Sequence, residues 1–155
     1  MLSKIRVEEV EPQPLAAVVE RVPLGKIGER FKANLDKVYA WLAEHPQIRK
    51  PGGHNVFLYR RETGQTDGRI GVEFCVQVAR GFSGEGEVYC SWTPPGRIAT
   101  VTHFGSYNAI GEAHRSIQQW ARSTGLVFGG VDWEIYGDWN DDPAKLETKV
   151  CYLLK

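Results

Sequence analysis

A chain of 155 residues that is 42% hydrophobic and 25% charged has the size of one ordinary globular domain and can bury a substantial core. Lysine plus arginine equals aspartate plus glutamate at 19 each, so no net field favours nucleic acid, a membrane surface or acidic partners, and charge-driven binding must be local. No segment approaches the roughly 18 apolar residues of a membrane span, and the start, MLSKIRVEEVE, has no apolar stretch long enough for a secretory signal, which makes a cytoplasmic location the expectation.

In chain order, Lys4 to Val22 reads as two short strands broken by Pro12 and Pro14, which cannot donate ladder hydrogen bonds. Leu24 to Glu44 places Ile27, Phe31, Leu35, Val38, Tyr39 and Leu42 at three- and four-residue spacing, the pattern of a first long helix, and His45-Pro46 stops it. Asn55–Arg61 and Arg69–Val78 are strand-like, joined by a polar ETGQTDG loop, and are expected to pair as a hairpin. Strands follow at Gly86–Trp92 and Arg97–Phe104, separated by Pro94-Pro95-Gly96. Tyr107 to Ser123 sets Ile110, Ala113, His114, Ile117, Trp120 and Ala121 on one helical face, with Gly125 at the usual stop position. Val131–Trp139 and Glu147–Leu154 are the last strands.

The halves superimpose at an offset of roughly 80 positions, which is internal self-similarity of the kind that marks a duplication. Ala17-Val18-Val19 falls on Ala99-Thr100-Val101, Trp41 on Trp120, Val56-Phe57-Leu58-Tyr59 on Trp133-Glu134-Ile135-Tyr136, and Phe74-Cys75 on Val150-Cys151. The expectation is one α+β domain over residues 1–155, built from a duplicated β-α-β-β module with repeats at about 4–79 and 84–155. Joined, the two modules would form one curved antiparallel sheet of about eight strands with two long helices and a central pocket.

One strand stands out. In Val131–Trp139, Trp133 and Ile135 point one way and Glu134 and Tyr136 the other, so a lone carboxylate sits beside a ring on a half-buried strand. Phe57 occupies the matching place in the first repeat, which makes Glu134 the exception. It reads either as a desolvated carboxylate that attracts a cation or moves a proton, or as a structural glutamate paired with Lys149 or Arg97. Tyr107, Phe104, Tyr136, Phe57, Tyr59 and Trp92 could stack on a planar ligand, or be ordinary core and cross-strand pairs. His45, His54, His103 and His114, together with Cys75, Cys90 and Cys151, lack metal-ligand spacing, so no metal or cofactor is expected; the cysteines read as reduced core thiols. His103 borders the expected pocket as a proton relay or, by default, a hydrogen-bonded structural histidine. Arg60-Arg61 reads as a solvated face, and direct nucleic-acid binding has little support.

Three runs, PLAAVVERVP at Pro14–Pro23, PPGRIATVTHFGSY at Pro94–Tyr107 and WEIYGDW at Trp133–Trp139, resemble the GyrI-like family, which is also found as the effector-binding domain of AraC-type and MerR-type regulators. The resemblance covers essentially the whole chain. It implies a pocket for lipophilic, often cationic, aromatic compounds, with the family's acidic residue matching Glu134 and its pocket aromatics matching Tyr107, Phe104 and Tyr136. Some stand-alone members are hydrolases that open strained cyclopropane rings, and others protect gyrase. The leading expectation is small-molecule sequestration or sensing with Glu134 as anchor. The alternatives are a cyclopropane-opening hydrolase using Glu134 and Tyr107, and a gyrase-interacting protective protein. The oligomeric state is left open.

Overall fold

β-branched and aromatic runs extend as strands, and the two stripes of apolar residues at three- and four-residue spacing wind as helices, so the chain is α+β. The computed structural model describes residues 1–61 and 67–155; most of the expected ETGQTDG loop falls at 62–66, outside the described residues. The strands are β1 (Arg6–Val10), β2 (Pro14–Pro23), β3 (Asn55–Arg60), β4 (Arg69–Gln77), β5 (Tyr89–Trp92), β6 (Gly96–Phe104), β7 (Phe128–Tyr136) and β8 (Glu147–Leu154). The long helices are α1 (Ile27–Glu44) and α2 (Ile110–Thr124), with a 3-10 turn at Tyr107–Ala109 leading into α2. Each half of the chain therefore runs strand, strand, helix, strand, strand.

Two compact units result, Pro12–Thr93 and Met1–Glu11 with Pro94–Lys155. In the first, β3-β4-β2-β5 are neighbours in that order, all antiparallel, and α1 packs on β2 and β4. In the second the order is β1-β6-β8-β7, again antiparallel, with α2 on β6 and β8. The units do not follow the contiguous repeats. β1 opens the first half yet pairs with β6 (Glu9↔Arg97), and β5 opens the second half yet pairs with β2 (Ala17↔Tyr89).

The ladders fix the internal correspondence. Val56 pairs with Cys75 and Trp133 with Cys151, so Phe57 does match Glu134 and Tyr59 does match Tyr136. Ala17, however, pairs with Cys75 and Thr100 with Cys151, so Ala17 matches Thr100 rather than Ala99. The small residues around Ala17 and Ala99 look alike in both registers, and only the ladder separates them; a one-residue slip would send every side chain to the wrong face.

In the β1-β6-β8-β7 unit, Val101, Val150 and Glu134 lie on one rung across β6, β8 and β7. That face is the one α2 covers, through Ile110, Ala113 and Ile117 packed on Ala99, Val101, Val150, Tyr152 and Leu154. Gly125, with φ of 71°, ends α2 in the left-handed conformation and returns its N–H to the Ala121 carbonyl, at the stop position the sequence indicated. In the other unit α1 buries Asn34, Leu35, Val38, Trp41 and Leu42. Phe31 and Tyr39 were expected on that stripe but lie at its margin, 40% and 45% exposed, because the buried arc is centred on Leu35, Val38 and Leu42. Phe31 still meets Phe57 at 6.0 Å between ring centroids.

Among the described residues, no helix is long and apolar enough to cross a membrane, and no group of three or more His, Cys, Asp or Glu is placed to hold a metal. Cys75 and Cys151 are buried, and burial pushes both thiols up, Cys151 to about 11. Cys90 is only half-buried. A thiol reagent at pH 8 should therefore label Cys90 quickly and the other two only on unfolding; three equally fast thiols would contradict this packing. Ile117, fully buried between α2 and the sheet, should cost about 2–5 kcal/mol when replaced by Ala, read as a lower urea midpoint at unchanged slope.

Candidate functional site

The second unit holds a file of polar side chains inside its apolar core. Glu134 is 6% exposed on β7 and faces α2. A carboxylate so placed needs donors on both oxygens to offset the lost hydration. It has them: Tyr136 Oη donates to Oε1 at 2.6 Å, and His114 Nε2 lies 2.6 Å from Oε2. Tyr136 reaches back from two residues along the same strand face, and His114 reaches down from α2. The other imidazole nitrogen, Nδ1, is 2.6 Å from Tyr152 Oη, and Gln118 Nε2 donates to that same hydroxyl at 3.3 Å.

A carboxylate oxygen accepts, so His114 Nε2–H and the Tyr136 hydroxyl both donate to Glu134, Gln118 Nε2 donates to Tyr152 Oη, and His114 Nδ1 and Tyr152 Oη share one further hydrogen bond. Every group is satisfied. Asp132, 1% exposed on β7, places Oδ2 3.9 Å from His114 Nδ1, so a second carboxylate faces that nitrogen. The arrangement can hold a positive charge at Glu134, or pass a proton between Glu134 and Tyr152 through the imidazole.

Aromatic rings lead outward from the carboxylate. Tyr107 stands edge-on to Tyr136, with centroids 5.3 Å apart and planes at 89°, and Trp139 lies 6.4 Å beyond Tyr107 and is 71% exposed. Burial pushes the Tyr107 hydroxyl above its ordinary value, keeping it a neutral donor near neutral pH. Carboxylate, phenol and rings thus form one continuous stripe from the core to the surface.

The structure brings Glu134, Tyr136 and Tyr107 together within one unit. Phe104 ends β6 three residues beyond Val101, so alternation puts it on the opposite face from Glu134. Phe57, Tyr59 and Trp92 belong to the Pro12–Thr93 unit. There Phe57 packs edge-on against Phe74 at 5.1 Å, Tyr59 is buried under the Arg61 guanidinium at 5.3 Å, and Trp92 lies on the edge strand β5, 45% exposed, against Gly81. The structural partners considered for Glu134 do not reach it: Lys149 is on the other face, 3.5 Å from Glu8, and Arg97 is four residues along β6 from the Glu134 rung. His103 is buried with Nε2 2.9 Å from the Ser106 carbonyl, an anchor for the turn into α2.

Sequence reasoning missed His114, Gln118, Tyr152 and Asp132. His114 was counted in the apolar stripe of α2. The overlooked signal was that His114 and Gln118, one turn apart, are both polar on a face otherwise made of Ile, Ala and Trp. The first repeat sharpens the point. The ladders match Phe57 to Glu134 and Val76 to Tyr152, and aligning Trp41 with Trp120 matches Leu35 to His114. Phe57, Leu35 and Val76 are all buried apolar residues. The same scaffold therefore packs without the polar file.

Comparison with known proteins follows the fold. The GyrI-like family, described as a GyrI-like small molecule binding domain, matches residues 3–155. No curated protein sequence matches the chain. Among solved structures, EcmrR in its DNA complex superimposes with a TM-score of 0.81 at 18% identity over 98% of this chain, which spans 57% of the EcmrR chain. SAV2435 bound to tetraphenylphosphonium gives 0.69 at 12% identity, covering 99% of this chain and 94% of that one. A hydrolase from Listeria innocua gives 0.66 at 12%, covering 98% and 92%. At such identities the likeness establishes the fold alone.

Replacing Tyr152 by Phe removes the hydroxyl that His114 Nδ1 and Gln118 Nε2 both meet. The expected cost is about 1–3 kcal/mol, measured by urea unfolding at neutral pH, and an unchanged midpoint would show that the hydroxyl makes no such bond.

Proposed function

The chain belongs to the GyrI-like small molecule binding domain family, and from that premise we propose that it binds lipophilic aromatic cations, with Glu134 as the electrostatic anchor and Tyr107 and Tyr136 as stacking walls. The observation that carries this reading is the replacement of a packed Phe-Leu-Val set in one repeat by Glu134, His114 and Tyr152 in the other. A buried carboxylate is expensive, and in the matching unit the same position is filled by Phe57. Its position at the inner end of the Tyr136–Tyr107–Trp139 stripe supports a role in recognition: each ring face can take a cation at roughly 0.5–2 kcal/mol, and the carboxylate completes the charge match. The tetraphenylphosphonium complex of SAV2435 supports the same ligand class.

The His114–Glu134 contact favours one second reading, a hydrolase. Glu134, backed by His114, would take a proton from water while Tyr107 and Tyr136 hold an aromatic, strained electrophile. The Listeria innocua hydrolase lends this reading support. Turnover of a cyclopropane-bearing aromatic, followed by mass spectrometry, separates the two; stoichiometric binding without product supports the binding protein.

Glu134→Gln keeps the shape and removes the charge. It should weaken tetraphenylphosphonium about tenfold or more, ~1.4 kcal/mol, while triphenylphosphine oxide, neutral and of similar bulk, changes less than about threefold. Equal losses for both compounds would remove Glu134 as a charge anchor.

A further inference from the structure

The sheet face that α2 covers carries one further polar rung. His103 of β6, Thr148 of β8 and Tyr136 of β7 lie side by side on it, one same-face step along β7 from Glu134, roughly 7 Å by strand rise. His103 is 2% exposed and Thr148 is fully buried. His103 Nε2 meets the Ser106 carbonyl, which can only accept, so Nε2 carries the hydrogen and the neutral ring presents Nδ1 as an acceptor. Among the described residues, that Nδ1 and the Thr148 hydroxyl oxygen have no hydrogen-bond partner. Two such atoms on one rung are uncommon, because a buried polar group without a partner costs its full desolvation.

The other unit shows how the same rung is served. By the ladders, Glu20, Val72 and Tyr59 stand where His103, Thr148 and Tyr136 do. Glu20 accepts from Arg30 Nε, 2.9 and 3.0 Å from its two oxygens, and from Asn34 Nδ2 at 2.9 Å, both reaching down from α1. Aligning Trp41 with Trp120 puts Ala109 and Ala113 at the places of Arg30 and Asn34. Neither alanine side chain can donate. One helix thus brings N–H donors to its rung, and the other brings methyl groups to a rung that still presents acceptors.

We propose that the His103–Thr148 rung is a hydrogen-bonding subsite for an aromatic cation whose charged nitrogen bears hydrogen, such as an arylmethylammonium. Its N–H groups meet His103 Nδ1 and Thr148 Oγ1, supplying what Arg30 and Asn34 supply in the other unit, while Glu134 balances the charge. This rests on the aromatic-cation reading and narrows it to N–H-bearing cations. A quaternary nitrogen has no hydrogen to give and leaves both acceptors unpaired, so the rung discriminates between cations of equal charge.

Calorimetric titration of the full chain at neutral pH with 1-naphthylmethylammonium and with trimethyl(1-naphthylmethyl)ammonium tests this, because the two share ring and charge and differ in N–H. Thr148→Val removes the hydroxyl at nearly constant shape and installs the residue that the other unit has at this place, Val72; Thr148→Ser keeps the hydroxyl. Both cations are expected to bind the wild type. Thr148→Val should weaken the primary ammonium about tenfold and the quaternary one less than about threefold, and Thr148→Ser should hold the primary ammonium near the wild-type affinity. Without ligand, Thr148→Val should unfold at a urea concentration no lower than the wild type, since the lost hydroxyl bonds nothing in the chain. Equal losses for the two cations, no loss in Thr148→Val, or a lowered urea midpoint would each overturn the subsite. If the quaternary cation still binds and weakens in Glu134→Gln, the anchor stands without the subsite; if neither cation binds the wild type, both fall.

Discussion

A carboxylate held in an apolar core by one phenol and one imidazole is the constraint around which the Met1–Glu11/Pro94–Lys155 unit is arranged. Glu134 can stay ionised there only if both oxygens receive donors, and those donors come from different elements: Tyr136 from its own strand and His114 from α2. His114 Nδ1 in turn meets the Tyr152 hydroxyl on β8, with Gln118 donating to the same oxygen. One carboxylate thereby ties β7, α2 and β8 together through side-chain hydrogen bonds. The apolar contacts of Ile110, Ala113 and Ile117 supply most of the adhesion, while the polar file specifies how the surfaces meet.

The two repeats act as a controlled comparison within one chain. The same strand, strand, helix, strand, strand order and equivalent ladders carry Phe57, Leu35 and Val76 in one unit and Glu134, His114 and Tyr152 in the other. Packing alone is satisfied by the first set. The second set gives up hydrophobic burial and depends on its hydrogen bonds to offset that loss. The Pro12–Thr93 unit has polar groups on both sheet faces: Asn34 and Arg30 of α1 meet Glu20 on one, and Glu73 meets Arg60 and Ser91 on the other.

Much of this was legible in the chain. Strand alternation put Glu134 and Tyr136 on one face and Trp133 on the other, the 3.6-residue periodicity located both helices, and the internal match isolated Glu134 against Phe57. His114 and, behind it, Tyr152 were less legible because they are separated from Glu134 by 20 and 18 residues in sequence and belong to a helix and a different strand; hydrophobic periodicity treats His114 as one more member of a stripe. Phe104 and Ala17 show the same limit in strands. Each lies in a run that reads equally well one residue along, and only the hydrogen-bonded register decides the face.

The account's central claim is that Glu134 and His114 form one unit through which a bound cation is sensed. Nitrogen-15 NMR of the imidazoles tests it most directly. In the free protein His114 Nε2 should carry a hydrogen held by Glu134, and saturation with tetraphenylphosphonium should move both His114 nitrogens while those of His45 and His54 stay in place. A bare Nε2 in the free protein, or His114 resonances unmoved at saturation, would contradict it.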